Sequence, residues 1–276
     1  MFNIIKIAKF SFVALCLFAI ATAHSASTVA DKSIDLADSG RLFGADELAF
    51  PDSPNSLTTW LGQRSPAAKV NLFGGSYWLY ADVRHSQATT EWVLDPNNTL
   101  IDRVEARIYA PDGSVQQLQT GYRHDHEFML HYGKSMVLQP NVDYRILIKF
   151  SSPYFASNPR FEVLPTSSYR ARVINDNVWI LGCLGAVTAL ALFNIMLFAS
   201  TRDKSALYYA LYLIVFGIGW AFVFHIPAHL FGLRNLSLHY IPFFLTPVAS
   251  ALFCLDFLKL RQNFPRLAKL CVWAMV

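Results

Sequence analysis

Hydrophobic positions are distributed in two different ways along this chain of 276 residues. Up to about residue 168 they occur in short runs separated by turn residues, whereas after Asn177 they form long stretches without charge. Short alternating runs are typical of strands that bury one face. Stretches of about 20 apolar residues match the thickness of a bilayer. The pattern therefore predicts an all-β domain followed by membrane-spanning helices.

The clearest alternating runs are Tyr77–Arg84 and Tyr144–Phe150. In the first run, Trp78 and Tyr80 lie on the same face, because successive side chains of a strand point to opposite sides. Turn sequences such as Asp-Pro-Asn-Asn and Pro-Asp-Gly separate further short runs, and no helical period is convincing here. Many short strands at this spacing predict an antiparallel β-sandwich of the jelly-roll type over residues 45–168.

The apolar part of the chain, residues 176–276, is predicted to be a transmembrane helical bundle. Three of its stretches are long enough to cross a bilayer at about 1.5 Å per residue; they are residues 178–200, 206–226 and 241–258. Pro265 suits the first turn of another helix. Residues 267–276 are too few to cross, so we expect an incomplete fourth span there.

Residues 1–23 have the pattern of a secretory signal peptide. Lys6 and Lys9 precede the short apolar run Phe10–Ile20, and small residues follow it. This run is short for a span, although an uncleaved N-terminal anchor is the alternative interpretation. Residues 24–44 are polar and aperiodic, and we expect a disordered lead-in.

The net charge of +4 comes mainly from basic residues that flank the apolar stretches. Arg202 and Lys204 follow the first predicted span, and four basic residues lie in Lys259–Lys269, whereas the loop between the second and third spans has only Arg234. Basic loops remain in the cytoplasm, which places the β domain on the outer side. The expected partner is therefore the lipid bilayer and not a nucleic acid.

Composition excludes a wholly soluble protein and a disulfide-rich outer domain. Charged residues make up 15% of the chain, against about 25% in soluble domains. The cysteines all lie within apolar stretches, so a disulfide framework in the outer domain is excluded; they are Cys16, Cys183, Cys254 and Cys271. No nucleophile elbow, P-loop or pair of catalytic carboxylates is recognisable, and we expect neither catalytic residues nor a cofactor.

Several short motifs occur in a defined order from about Trp60 to the end of the chain. They are Tyr77–Tyr80, Trp92–Asp95, Asp102–Glu105, Tyr144–Ile148, Leu192–Asn194, Arg202–Ser205 and Phe257–Arg261. No single motif is specific, but their order resembles the bacterial seven-transmembrane receptors with diverse intracellular signalling modules.

The resemblance implies an outer jelly-roll domain similar to carbohydrate-binding modules, seven helices and a cytoplasmic diguanylate cyclase or histidine kinase. We therefore expect this chain to be the input portion of a receptor in the bacterial inner membrane, with its β domain in the periplasm or outside. It would bind a small molecule or a carbohydrate, and a homodimer is compatible with this arrangement. The alternative is a membrane-anchored carbohydrate-binding or adhesion module without signalling output.

Five aromatic residues are the candidate ligand-binding residues of the outer domain. They are Trp78, Tyr80, Trp92, Tyr109 and Tyr122. Ligand pockets combine apolar and aromatic walls with a few polar groups, and rings on a sheet face would stack on a sugar. The alternative is that these rings fill a core, because aromatic residues are enriched in strands and bury large areas.

His124 and His126 would lie on the same side of a strand, as two metal ligands do. A zinc site needs three or four ligands in a defined geometry, so we expect a solvated loop and no metal site.

Two polar residues stand out in the predicted spans. Asn194 is expected to hydrogen-bond with a neighbouring helix. Asp256 lies about one helical turn before Lys259, and an ion pair near the membrane surface is the interpretation that we favour over a functional role.

Overall fold

The computed structural model describes residues 33–36, 40–45, 49–97 and 100–273. The predicted signal peptide, residues 24–32 and 37–39 of the predicted lead-in and the last three residues of the predicted fourth span lie outside these ranges. The expectation of a disordered lead-in is wrong for its described residues, because Ile34–Asp35 and Arg41–Gly44 pair as strands with the outer domain, and buried Leu36 and Phe43 anchor them. Within the described residues the chain forms two β-sheets, followed by a series of helices. The predicted fold class, a β-sandwich followed by transmembrane helices, is confirmed.

The strands pair antiparallel throughout, in two sheets with the orders β1-β9-β4-β7 and β2-β3-β8-β5-β6. The strands are β1 (Ile34–Asp35), β2 (Arg41–Gly44), β3 (Gly75–Val83), β4 (Glu91–Asp95), β5 (Arg103–Tyr109), β6 (Val115–Thr120), β7 (Lys134–Val137), β8 (Tyr144–Ser152) and β9 (Glu162–Pro165). Strand β8 is central in the larger sheet, and β3 and β5 flank it.

The main core lies between the two sheets. Leu79 and Ile148 enter it from the larger sheet, and Trp92 and Leu94 enter it from the smaller one. Full burial of such a side chain is worth roughly 1.5–3 kcal/mol. The alternation of β3 therefore has the predicted consequence, because Leu79 points into this core while Trp78 and Tyr80 point to the opposite face.

A short helix, α1 (Pro54–Gly62), covers that opposite face of the larger sheet. Its first turn is stabilised by a capping box in which Ser53 and Ser56 exchange hydrogen bonds. Leu57 lies on the inner side of this helix and is fully buried against the sheet. This helix corrects the expectation that the region is entirely β. Nine residues are too few to show a helical period, although Ser53 followed by Pro54 is a start signal.

The remaining elements are α2 (Thr166–Thr201), α3 (Lys204–Val223), α4 (Ile226–Phe231), a 3₁₀ helix (Leu236–His239), α5 (Tyr240–Phe257), α6 (Leu260–Asn263) and α7 (Pro265–Trp273). Among the described residues, three segments are long and apolar enough to cross a membrane: Thr166–Thr201, Lys204–Val223 and Leu236–Phe257. Helix α3 packs against both α2 and α5.

Two boundaries differ from the sequence prediction by more than two residues. Helix α2 begins at Thr166, directly after β9, and not at residue 178. Its first turns carry polar residues that pack on the outer domain, so hydropathy does not reveal them. Helix α3 ends at Val223 because His225 adopts a left-handed conformation with φ of 60° and Pro227 then starts α4.

We predict that Ile148→Ala destabilises the outer domain by about 2–5 kcal/mol, because it leaves a cavity between the two sheets. Ile148 is fully buried. The free energy of unfolding from denaturant titration of the detergent-solubilised chain measures the effect. The exposed Gln119→Ala in β6 is the matched control and should change it by less than about 0.5 kcal/mol. Equal effects of the two substitutions would contradict the core assignment.

Candidate functional site

The outer loop, residues 224–239 between α3 and α5, folds onto the outer domain. Ala228 and Leu236 pack in an apolar cluster with Tyr122 and Tyr132 of the outer domain. Arg234 forms an ion pair with Asp125. The outer loop therefore connects the β-sandwich with the ends of two spans.

A second pair of contacts lies at the start of α5. The Tyr154 hydroxyl shares a hydrogen bond with Nε2 of His239 at 2.5 Å. The Tyr154 ring also lies 5.0 Å from the ring of Tyr240, the first residue of α5. The segment that follows β8 and carries Tyr154 is thereby held next to a membrane helix.

A polar cleft of about 360 Å³ separates the outer loop from the sheet. One wall is formed by neighbouring strand ends, since Ser76 of β3 and Arg103 of β5 both stand opposite Ser151 of β8. The other wall is formed by Asn235 and Ser237 of the outer loop. A ligand in this cleft would contact the rigid sheet and the membrane-connected loop at once.

The cleft contains one fixed ion pair and one further cation. Arg123 Nε lies 2.9 Å from Oδ2 of Asp102, whose side chain is 10% exposed. Arg103 also lines the cleft, and it has no ion-pair partner among the residues that the structure describes. With the serine hydroxyls and the Asn235 amide, this lining suits a ligand that has hydroxyl groups and an acidic group.

A buried polar cluster holds the first turns of α2 against the smaller sheet. The Tyr169 hydroxyl accepts a hydrogen bond from the backbone N–H of Gly133 at 3.0 Å and donates to Asp95 at 3.3 Å. Arg172 pairs with Glu162 at 3.0 Å and with Asp95 at 3.6 Å. A Cβ at Gly133 would lie 2.4 Å from the Tyr169 ring, so only glycine allows this approach. We call these five residues the stalk cluster.

Three histidines, His126, His225 and His229, form an aromatic contact between the outer domain and the outer loop. His225 stacks on Tyr132 with 4.2 Å between the ring centroids, and His126 lies 5.4 Å from His225 and 6.0 Å from His229. Burial lowers the pKa of His126 to about 4. Among the described residues, no group of three or more His, Cys, Asp or Glu side chains could hold a metal ion.

The five aromatic candidates lie in cores and not on a ligand-facing surface. Trp78, Tyr80 and Tyr109 lie beneath α1, Trp92 lies between the sheets, and Tyr122 lies beneath the outer loop. Each is at most 4% exposed. The structure does not bring them together, and a ligand contact by any of them stays a prediction.

Sequence reasoning had no means of assembling the cleft. Asp102 and Arg103 belong to one of the motifs that carry the family resemblance, which is the only signal that pointed to them. Arg123 and Asn235 lie more than one hundred residues apart in the sequence, and no pattern links them. Short polar residues at strand ends are also common in ordinary turns.

The intramembrane polar residues have different partners from those expected. Asp256 of α5 accepts a hydrogen bond from the Ser205 hydroxyl of α3 at 2.8 Å. The expected ion pair with Lys259 is not formed, because Lys259 has φ of 48° and breaks the helical spacing. Asn194 is fully buried and donates to the Leu190 carbonyl at 2.7 Å, within its own helix.

Comparisons with known proteins agree with this architecture. The family model of the 7TMR-DISM extracellular 2 domain matches residues 36–164, and the model of the 7TM diverse intracellular signalling region matches residues 176–276. The fold and these matches define a membrane protein of the receptor type, with an extracellular β domain and a 7TM region. The chain belongs to the seven-transmembrane receptors with diverse intracellular signalling modules.

No curated protein matches the chain. Among solved structures, the chain resembles a β-glucosidase from Kluyveromyces marxianus at 11% sequence identity, over 54% of this chain and 18% of the enzyme, with a TM-score of 0.26. A similarity at this level carries no argument about fold or function.

We predict that Asp95→Asn changes how stability depends on pH. Burial raises the pKa of Asp95 from 3.8 to about 6. Because the folded state binds the proton more tightly, this carboxyl group stabilises the fold below about pH 4 and loses that contribution as the pH rises through 6. Relative to the native chain, the variant should therefore gain roughly 2–3 kcal/mol between pH 4 and pH 7.5.

Denaturant titrations of the native chain and of Asp95→Asn at several pH values provide the measurement. His126 contributes the opposite slope, because its lowered pKa removes stability as the pH falls below 6.5. Both chains contain His126, so its effect cancels in the difference. Parallel stability curves for the two chains would show that Asp95 does not titrate in this range.

Proposed function

We propose that this chain is the ligand-binding input portion of a bacterial inner-membrane receptor and that the polar cleft is its ligand site. The observation that carries the proposal is that the two walls of the cleft belong to different parts of the chain. One wall belongs to the larger sheet, and the other belongs to the segment that leads into α5. A ligand that contacts both walls would stabilise one position of the outer loop relative to the sheet.

Signalling requires that the outer loop can occupy two positions relative to the sheet, and that the chain binds the ligand more tightly in one of them. A ligand shifts an equilibrium only by the difference between its affinities for the two states, and such couplings are typically about 1–3 kcal/mol. The outer loop joins α3 to α5, and both helices pack in the bundle. A displaced loop would therefore alter helix packing and, through it, a cytoplasmic output.

The lining of the cleft favours a small ligand with several hydroxyl groups, such as a carbohydrate. Its volume is at the lower end of the usual range for ligand pockets. Eight of the eleven lining residues have hydroxyl, amide or charged side chains and none is aromatic, so recognition would depend on hydrogen bonds and not on ring stacking. Arg103, which has no ion-pair partner within the described part of the chain, further favours a sugar that carries a carboxylate or a phosphate.

We predict that Arg103→Gln weakens binding of an acidic sugar by roughly 10- to 100-fold, because a hydrogen bond to a charged group contributes about 1.5–3 kcal/mol. The dissociation constants are measured by isothermal titration calorimetry of the full chain in nanodiscs, with a panel of neutral sugars, uronic acids and sugar phosphates. Arg160→Gln is the matched control, since Arg160 is exposed and does not line the cleft.

Three outcomes have distinct meanings. Loss of binding in Arg103→Gln alone supports the cleft. Binding that persists unchanged in Arg103→Gln and in Asn235→Ala places the ligand elsewhere on the chain. A folded chain that binds no member of the panel contradicts the carbohydrate proposal and leaves the topology intact.

A further inference from the structure

A tight turn of the outer domain exposes two large apolar side chains. Leu72 is 51% exposed and Phe73 is 91% exposed. The turn precedes β3, whose first residues Gly75 and Ser76 line the polar cleft. Contiguous exposed apolar patches, unlike single exposed residues, mark contact sites with membranes or with other proteins.

The turn is held rigidly, so its apolar side chains are presented outward by the fold itself. Asn71 accepts the N–H groups of Phe73 and Gly74 at 3.0 Å each, and its own N–H donates to the Tyr77 hydroxyl at 2.8 Å. Gly74 has φ of 102°, and a Cβ there would lie 2.3 Å from the Pro153 carbonyl oxygen. This backbone conformation thus keeps the side chains of Leu72 and Phe73 on the outside of the domain.

The turn lies beside the outer end of a membrane-spanning helix. The backbone N–H of Phe155 donates to the Leu72 carbonyl at 3.0 Å. The preceding residue, Tyr154, packs its ring on Tyr240 at the start of α5. The Tyr240 ring in turn lies 6.3 Å from that of Phe244, which is 75% exposed on the apolar surface of α5.

The turn is therefore linked by a backbone hydrogen bond to the segment whose Tyr154 packs on the start of α5. Tyrosine is enriched at the level where hydrocarbon meets headgroups, because its ring is apolar and its hydroxyl is polar. Tyr154 and Tyr240 mark this level, and Leu72 is bonded to the residue next to Tyr154.

We propose that Leu72 and Phe73 insert into the outer leaflet of the bilayer, so that the outer domain rests on lipid at this turn. The insertion removes both side chains from water, as it does for the apolar face of interfacial helices. It would also hold the β3 end of the cleft at a constant height above the membrane. The proposal depends on the membrane topology and not on any ligand of the cleft.

The test uses nitroxide labels on the full chain in nanodiscs that hold one copy each. The four native cysteines are replaced by alanine, and single cysteines are introduced as Phe73→Cys, Phe244→Cys and Ser114→Cys. Relative accessibility to oxygen and to a water-soluble nickel chelate reports depth. Phe244 is the lipid reference, and Ser114, in the turn between β5 and β6 at the opposite end of these strands, is the water reference.

We expect the label at position 73 to exceed the label at Ser114→Cys in its oxygen-to-nickel accessibility ratio by severalfold, and to approach the value for Phe244→Cys. A ratio equal to that at position 114 would overturn the proposal. So would a label that is shielded only in liposomes with many copies and is water-exposed in single-copy nanodiscs, because the occupant would then be a second copy of the chain.

A second measurement avoids the cysteine replacements. A photoreactive benzoylphenylalanine is incorporated at position 73 or at position 114 in the otherwise native chain, in bacterial membranes. Mass spectrometry should detect phospholipid adducts at position 73 and none at position 114. Adducts to protein alone at position 73, or equal lipid adducts at both positions, would overturn the proposal.

Discussion

The passage of the chain from β9 into α2 without a linker determines where the outer domain stands on the membrane helices. Pro165 is the last residue of the strand and occupies the N-cap position of the helix, so a displacement of the smaller sheet would move the first span directly. The stalk cluster strengthens this junction with buried hydrogen bonds and ion pairs. A buried carboxylate is costly unless it is paired, and the pairing of Asp95 with Arg172 and Tyr169 requires that the sheet and the helix remain together.

The outer loop is a second and weaker attachment. It rests on the outer domain through a small apolar cluster, an aromatic contact of histidines, the hydrogen bond between Tyr154 and His239 and one exposed ion pair. Exposed ion pairs contribute little to stability. This difference between the two attachments fits the proposal that a ligand displaces the outer loop, because the elements that move on binding are usually those of low stability.

Aromatic side chains lie in two different settings in this protein. In the outer domain they fill cores on both faces of the larger sheet and beneath the outer loop, because their area makes them effective core residues. Tyr154 and Tyr240 instead lie at the junction with the bundle. The candidate ligand site is lined instead by serines, Asp102, Asn235 and two arginines, with no aromatic ring among its lining residues.

Periodicity and length in the sequence determined the strands, their two faces and the positions of the spans, because burial beside a core or in lipid imposes a repeat or a minimum length on the chain itself. The separation of Leu79 from Trp78 and Tyr80 followed from alternation alone. Alternation does not show what covers a face, so the burial of Trp78 beneath α1 was decided only by the tertiary structure. The cleft brings Ser76, Asp102 and Asn235 together, and Asp256 meets Ser205 and not Lys259. These contacts join distant segments, and their geometry depends on how the sheets and helices pack.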